Sequence, residues 1–166
     1  ELVLEALDHS DAAAAAEALA SLDGTAYRSF NLVVADNSSA FWLRHDGNTA
    51  IDCHTIPPGF SMFTAYDRNS PKSPRVRRYL PRFESAPVPD PEQDDWHIWK
   101  KLLASQENSE KSDASESAMC VLTRLGFGTV NASVLALPAP SSPPRHPVWR
   151  FAPGPPCKNS FSVIEL

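Results

Sequence analysis

The order of apolar and polar residues predicts strands in two groups, one before and one after a helix-rich middle. Each group contains strand-like runs joined by a turn, Asp46-Gly47 in the first group and the glycine-containing turn between 117–121 and 126–137 in the second, so we expect antiparallel hairpins in both. This arrangement favours an α+β fold in which antiparallel β-sheets are layered with helices, and it disfavours a parallel βαβ fold. The predicted strands are 29–36, 40–45, 49–56 and 61–64 in the first group, and 117–121, 126–137, 148–152 and 160–164 in the second.

Helix signals flank and separate the two groups of strands. Ser10 or Asp11 can cap an alanine-rich helix, and Ser73 followed by Pro74 is typical of a second helix start. Pro81 is predicted to end that second helix, because proline lacks a backbone N–H. The predicted helices are 1–7, as the end of a helix that begins upstream, 11–22, 73–80, and one capped by Asp94 that carries Trp96, Trp99, Leu102 and Leu103; the predicted loops are 106–116 and 138–147.

Composition narrows the class of protein. The chain has 166 residues, which suits one domain, and 42% of them are hydrophobic, which favours an ordered body despite 16 prolines. A net charge of -5 argues against a nucleic-acid partner. The longest apolar block, 12–16, is too short to span a membrane. Because the chain starts at Glu1 inside an apolar run, we expect an N-terminal segment to be missing.

The three cysteines are an odd number and lack the paired spacing of a disulfide framework or a zinc site. They therefore favour a reducing compartment and predict a cytoplasmic location. Cys53 and Cys120 lie in strand-like runs and are expected to be buried. Cys157 follows two prolines in a loop, so we expect it to be the most exposed of the three.

Hydroxyl and carboxylate groups near strands are the first candidate site residues. Thr64 ends a predicted strand and Asp67 follows it, where they line a cleft or, alternatively, belong to a plain turn that bonds the backbone. Thr129 and Ser133 alternate with apolar residues, so both hydroxyls share one face of a strand. That face either lines a pocket or is exposed to solvent.

Charged residues and histidines form a second set of candidates. Four arginines in and after the predicted helix 73–80 form a basic cluster, which fits either an anion site or a solvated helix face. His45 and His54 flank one predicted hairpin and could face each other across two strands, or be a pair of partly exposed polar side chains. No Gly-x-Ser-x-Gly, His-x-x-x-His or Cys-x-x-Cys pattern occurs, so no catalytic residue and no metal ligand is predicted. The basic cluster consists of Arg75, Arg77, Arg78 and Arg82.

Several motifs, taken in order, resemble those of the NRDE family, the relatives of the transport-and-Golgi-organisation protein. Residues 26–36 are similar to the family's strand that contains Phe-Asn-Leu and ends in Ala-Asp, and residues 56–59 to its Pro-Gly turn. Residues 117–121 and 126–133 are similar to its Ser-Ala-x-Cys-Val and Gly-x-Gly-Thr hairpin. The resemblance covers residues 1–137.

The resemblance implies a fold like that of N-terminal-nucleophile hydrolases, an αββα sandwich of which this chain is the C-terminal part and therefore incomplete. The family's Asn-Arg-Asp-Glu motif and N-terminal cysteine are absent, and Glu1 cannot act as such a nucleophile. Ala65 stands where many relatives have an asparagine suited to an oxyanion, and Val130 follows Thr129 where many have arginine. The chain alone is therefore not expected to hydrolyse amides.

Eukaryotic members of the family are linked to haem, lipid and acyl-coenzyme A metabolism, so the resemblance also implies a ligand-handling role. Haem needs an axial ligand and basic groups near its propionates, which His45, His54 or Cys53 and the basic cluster could supply. We predict a cytoplasmic protein that binds or transports a small amphipathic ligand, with haem as the candidate ligand, no other cofactor and no nucleic-acid partner. The alternatives are a cysteine N-terminal-nucleophile hydrolase that cleaves a C–N amide bond with a nucleophile upstream of this chain, and a truncated product without function. The candidate ligand-binding residues are Asn31, Thr64, Asp67, Arg75, Thr129 and Ser133.

Overall fold

The chain divides into two compact units in the computed structural model. The described residues are 2–107, 117–123, 126–140 and 145–165. The first unit comprises residues 1–68 with 139–142, and the second comprises residues 69–138 with 143–166. Parts of the two predicted loops, 108–116 and 141–144, lie outside the described residues. That both units belong to a single domain stays a prediction.

The elements confirm the α+β class. The strands form two three-stranded antiparallel sheets, one in each unit, and the short turns of the first group of strands predicted the pairing in the first of them. Within the described ranges, every helix is too short or too polar to cross a bilayer. In chain order the elements are α1 (Leu2–Ala6), α2 (Ala12–Ala20), a 3-10 turn (Gly24–Ala26), β1 (Phe30–Ala35), β2 (Ala40–His45), β3 (Asp52–Thr55), α3 (Pro74–Glu84), α4 (His97–Leu103), β4 (Ala132–Ala136), β5 (Val148–Ala152) and β6 (Ser162–Ile164).

The first unit is built around a sheet in the order β1-β2-β3. Its antiparallel register places Asn31 of β1 opposite Arg44 of β2. Because strand side chains alternate between the two faces, Leu43 points to the face opposite that of Arg44. On that face α2 packs, and Leu43 (0% exposed) forms a core with Ala16 and Leu19 of the helix. Helix α2 therefore covers one side of this sheet.

Two carboxylates hold the start of α2. Asp11, one of the two predicted caps, accepts a hydrogen bond from the N–H of Ala14 (2.8 Å). Asp36, in the turn after β1, accepts one from the N–H of Ala12 (3.0 Å) and two more from N–H groups of its own turn. These donors, that of Ala12 first, lower the pKa of Asp36. The bonds satisfy N–H groups that have no partner within the helix and connect α2 to the sheet.

Residues 61–64 form no strand, so this strand prediction is wrong. The segment instead passes over the face of the sheet opposite α2, where the rings of Trp42 and Phe63 pack with centroids 5.6 Å apart. The reason is the partner of its backbone: the oxygen of Thr64 accepts a hydrogen bond from the side chain of Asn31 (3.0 Å), not from a neighbouring strand.

The second unit contains the sheet β4-β5-β6 and the helices α3 and α4. Strand β5 spans the predicted residues 148–152 and pairs antiparallel with β4 over its whole length and with β6 over part of it. Tyr79 of α3 is fully buried, and its hydroxyl lies 2.8 Å from the Oγ of Ser105, just beyond α4. This contact connects the two helices.

Two helix boundaries in the second unit differ from the predictions. Pro81 lies inside α3, which continues to Glu84, because a proline removes one backbone donor without preventing the next turn. Asp94 is not the N-cap of α4; Trp96 occupies that position, and Asp94 has a positive φ of 55°. The carboxylate of Asp94 instead accepts a hydrogen bond from the Nε of Arg150 on β5 (2.9 Å).

The prediction of a strand at 117–121 is also wrong. Val121 exchanges two hydrogen bonds with Thr129, and the next residue, Leu122, forms an isolated bridge with Gly128, but these contacts do not extend into a strand. The N–H of Cys120 donates to the backbone oxygen of Ser105 (2.8 Å), so the segment is bonded to the end of α4. Strand β4 pairs with β5 instead.

Candidate functional site

An open cleft of about 610 Å³ lies at the end of the β1–β2 hairpin away from its turn. It contains three of the predicted ligand-binding residues, Asn31, Thr64 and Asp67. We name it the Asn31 cleft. It is lined by residues 29–31, residues 44–46, and Thr64, Ala65 and Asp67.

The side chain of Asn31 fixes the wall of this cleft. Its Nδ2 donates to the backbone oxygens of Thr64 (3.0 Å) and Tyr66 (3.2 Å), and its Oδ1 accepts from the Nε1 of Trp42 (2.9 Å). Both amide hydrogens are therefore used within the protein. Asn31 positions the loop over the sheet, and a ligand can reach only its remaining acceptor lone pair.

Arg44 is the cation of the cleft, and carboxylates surround it. Its Nε donates to Asp67 (2.7 Å), and its Nη1 lies 3.4 Å from Asp52 and 3.9 Å from Asp46. The hydrogen bond that Arg44 donates to Asp67 is the main cause that raises the pKa of Arg44. The N–H of Asn48, and after it the charge of Arg44, lower the pKa of Asp46. Asp46 and Asp67 line the cleft and Asp52 does not, so within the cleft one formal positive charge faces two formal negative charges.

The other three candidate residues lie in the second unit and are bonded to backbone or to an indole. The Nε of Arg75 donates to the oxygen of Ala118 (2.8 Å). Thr129 precedes β4, and its Oγ1 accepts from the N–H of Val121 (2.9 Å). Ser133 of β4 accepts a hydrogen bond from the Nε1 of Trp149 across the sheet (3.2 Å).

The two candidate histidines of the first hairpin lie on opposite faces of the sheet, so the prediction that they face each other is wrong. His45 is buried on the α2 face, its ring packs against Phe30 (centroids 5.5 Å apart), and its Nδ1 lies 3.0 Å from the oxygen of Ala50. His54 pairs with Trp42 on the other face, with ring centroids 5.1 Å apart. His54 is paired with Trp42, which lies three residues before His45 on β2, and an odd separation along a strand puts side chains on opposite faces.

The cysteines differ from the predictions in two of three cases. Cys120 is buried, as predicted, but Cys53 is exposed on β3 and Cys157 is partly buried. Strand β3 is an edge strand with all four residues exposed, and this explains Cys53. Across the described parts of the chain, no group of three or more His, Cys, Asp or Glu side chains is placed to hold a metal ion.

Two charged residues of the Asn31 cleft, Arg44 and Asp46, were not among the predicted site residues. A signal for Arg44 was present in the sequence. Strand alternation places Arg44 on the same face of β2 as Trp42, and the tight turn between β1 and β2 places it opposite Asn31. For Asp46 the sequence predicted only a turn, because it precedes Gly47.

A second open cleft, of about 660 Å³, lies in the second unit between residues 89–92 and the ends of β4 and β5. None of the predicted site residues lines it. Its arginine, Arg145, is paired with Glu92. The Asn31 cleft is therefore the stronger candidate site.

Comparison of the chain with protein-family models, curated proteins and solved structures finds no match in any of the three. The resemblance to NRDE proteins stays a prediction. The geometry and charge of the Asn31 cleft are therefore the basis for a function.

Proposed function

We propose that this chain binds a small amphipathic amine in the Asn31 cleft. The observation that carries the proposal is the excess of carboxylates around the single guanidinium of Arg44. Negative charge in a cleft attracts a cation, and the side chains of Asp46 (43% exposed) and Asp67 (64% exposed) keep free acceptor positions. Phe30 and Ala65 add apolar surface for the rest of the ligand.

The same charges disfavour haem in this cleft. Haem carries two anionic propionates, which carboxylates repel. The ring of His45, a candidate axial ligand, is buried (2% exposed) and packs against Phe30, which leaves little of it for an iron to reach. An amine therefore fits the Asn31 cleft better, and haem binding stays a separate prediction.

The proposal also includes the NRDE family, the layered sandwich fold and a cytoplasmic location. We propose that both sheets belong to an αββα sandwich of the N-terminal-nucleophile type, supported by two antiparallel sheets and by the order of the NRDE-like motifs over residues 1–137. Three free thiols favour a cytoplasmic location. The amide-hydrolase alternative stays a prediction, because its nucleophile is expected upstream of Glu1.

Titration with two probes of opposite charge tests the proposal. Phenethylamine carries an ammonium group and phenylpropionate a carboxylate on a similar apolar body, so charge is the main difference between them. We expect phenethylamine to shift the backbone amide NMR signals of residues 29–31, 44–46 and 64–67, and phenylpropionate to leave them unchanged. Equal shifts with both probes, or shifts confined to other residues, would contradict the proposal.

Removal of one carboxylate sharpens the test. Asp67→Asn keeps the shape of the side chain and removes its charge, so phenethylamine binding should weaken about fivefold, as for an exposed charge pair. Asp8→Asn, an exposed position of the same unit outside the cleft, is the matched control and should leave the affinity unchanged. A third titration uses haemin, followed by its Soret band. If the protein binds haemin and not phenethylamine, the proposed ligand is wrong and haem is the ligand.

A further inference from the structure

Two thiols of the second unit lie in direct contact. The Sγ atoms of Cys120 and Cys157 are 2.6 Å apart, and both residues are free cysteines. Because a disulfide bond is about 2.05 Å long, a movement of about half an ångström separates the contact from a bond. The spacing of the cysteines along the chain gave no signal for this pair.

Hydrogen bonds hold the backbone on both sides of the contact. The N–H of Cys120, a buried residue (1% exposed), donates to the oxygen of Ser105 (2.8 Å). Cys157 lies in the turn between β5 and β6, where the oxygen of Pro155 accepts from the N–H of Asn159 (3.0 Å). The fold therefore brings two sequence-distant thiols together on backbone that is held in place.

We propose that Cys120 and Cys157 are a reversible redox pair, which a small-molecule disulfide such as oxidised glutathione converts to an intramolecular disulfide. The thiolate of the partly exposed Cys157 attacks one sulfur of the oxidant, forms a mixed disulfide and releases one glutathione thiolate. The thiolate of Cys120 then attacks the Cys157 sulfur and releases the second glutathione thiolate. The two thiol protons pass to these thiolates, so two cysteine thiols are oxidised and one oxidised glutathione becomes two reduced molecules.

The bond joins two parts of the second unit. Cys120 is bonded to Ser105 beyond α4, and Ser105 in turn contacts Tyr79 of α3, whereas Cys157 belongs to the connection of β5 and β6. Oxidation therefore links the helices of this unit to its sheet. Since the bond also restrains the unfolded chain, the oxidised protein is the more stable form.

Exchange at this pair is slow at neutral pH. Burial, and after it the contact with Cys120, raises the pKa of Cys157 to about 11. The thiolate is the reacting form of cysteine, and at pH 7 only a small fraction of Cys157 is ionised. We expect the initial rate to rise about tenfold for each pH unit between 7 and 9.

The experiment uses the full chain with Cys53→Ser, which removes the exposed third thiol. The protein is equilibrated with graded mixtures of oxidised and reduced glutathione, quenched in acid, alkylated with N-ethylmaleimide and weighed by intact mass spectrometry. We expect two populations, one with two alkyl groups and one with none, and an oxidised fraction that is unchanged over a tenfold range of protein concentration. Peptide mapping should locate the bond between Cys120 and Cys157.

Single-cysteine variants give the controls. With Cys120→Ser the mixed disulfide of Cys157 should persist, because no second thiol displaces the glutathione. With Cys157→Ser the buried Cys120 should stay reduced, and far-ultraviolet circular dichroism checks that both variants fold. A parent protein that keeps one glutathione on Cys157, stays fully reduced in excess oxidant, or links to a second chain would overturn the proposal.

Discussion

At the scale of single residues, one side chain, that of Asn31, holds the wall of the cleft in place. Asn31→Ala removes three hydrogen bonds, to Thr64, Tyr66 and Trp42, at once. We expect it to lower the free energy of unfolding by about 1–3 kcal/mol, measured by urea denaturation, and to weaken phenethylamine binding.

Asn37→Ala is the matched control for Asn31→Ala. Asn37 is exposed in the turn between β1 and β2, and its side chain makes a long 3.4 Å bond to its neighbour Ser38. Its replacement should change the free energy of unfolding by about 0.5 kcal/mol or less. Equal losses in the two variants would show that the three bonds of Asn31 contribute little.

The thiol of Cys157 gives the reduced protein a pH-dependent stability. Its pKa is raised from 9.0 to about 11, first by burial and then by Cys120. Between these two values the unfolded chain loses the proton while the folded chain keeps it, so the free energy of unfolding falls as the pH rises through this window. The contribution is fully present below pH 9 and is lost towards pH 11.

Urea denaturation of the reduced protein between pH 8 and about pH 11 measures this dependence. In Cys157→Ser the part of the slope that belongs to the thiol should disappear. An unchanged slope in that variant would assign the loss of stability to other groups.

Single-residue roles could be predicted only where the neighbours along the chain determine them. Strand alternation placed Trp42 and Arg44 on one face of β2, but the segment that covers this face comes about twenty residues later in the chain. The bonds of Asn31 to Thr64 and Trp42 depend on that distant segment. Sequence pattern therefore identified three residues of the cleft and missed their charged neighbours Arg44 and Asp46.

At the scale of elements, α3 contains a removable defect. Pro81 is exposed within the helix and lacks the N–H that would bond to the oxygen four residues earlier. Pro81→Ala should therefore raise the free energy of unfolding by about 1–3 kcal/mol in urea denaturation. The control is Pro87→Ala, in the exposed segment after α3, which should not stabilise. A loss of stability in Pro81→Ala would mean that the proline restrains the unfolded chain more than it disturbs the helix.

Elements with local signals could be predicted, and elements with distant partners could not. Helix α2 has its cap at Asp11, and strand β5 has its apolar run at 148–152. Segments 61–64 and 117–121 have β-prone residues too, but their backbone groups bond to the Asn31 side chain and to the end of α4. Their composition is compatible with a strand, and tertiary contacts decide otherwise.

At the scale of the whole molecule, each unit has its own buried centre. Leu43 is fully buried in the first unit, in contact with α2, so Leu43→Ala should lower the free energy of unfolding by about 2–5 kcal/mol. Hydrogen exchange should show the largest loss of protection in α2 and in β1 to β3. Leu135→Ala, at a position of β4 that is 54% exposed, is the control and should change the free energy by about 0.5 kcal/mol or less. Equal effects of the two changes would contradict this account of the core.

The antiparallel pairing of the first sheet could be predicted from the sequence because short turns join its strands. In the second sheet β4 and β5 pair across the longer segment 137–147, so no tight turn indicated that pair. The division into two compact units could not, because it depends on which residues share a core and not on composition. The same limit explains why the contact between Cys120 and Cys157 had no signal in the spacing of the cysteines.

Ala65 gives protein engineers a place to begin. It lines the Asn31 cleft with a methyl group and lies within the loop that the Asn31 amide holds at Thr64 and Tyr66. Larger side chains can therefore be grafted at this position while the scaffold beneath them keeps its hydrogen bonds. A small library of variants at Ala65 would therefore change which ligands fit the cleft.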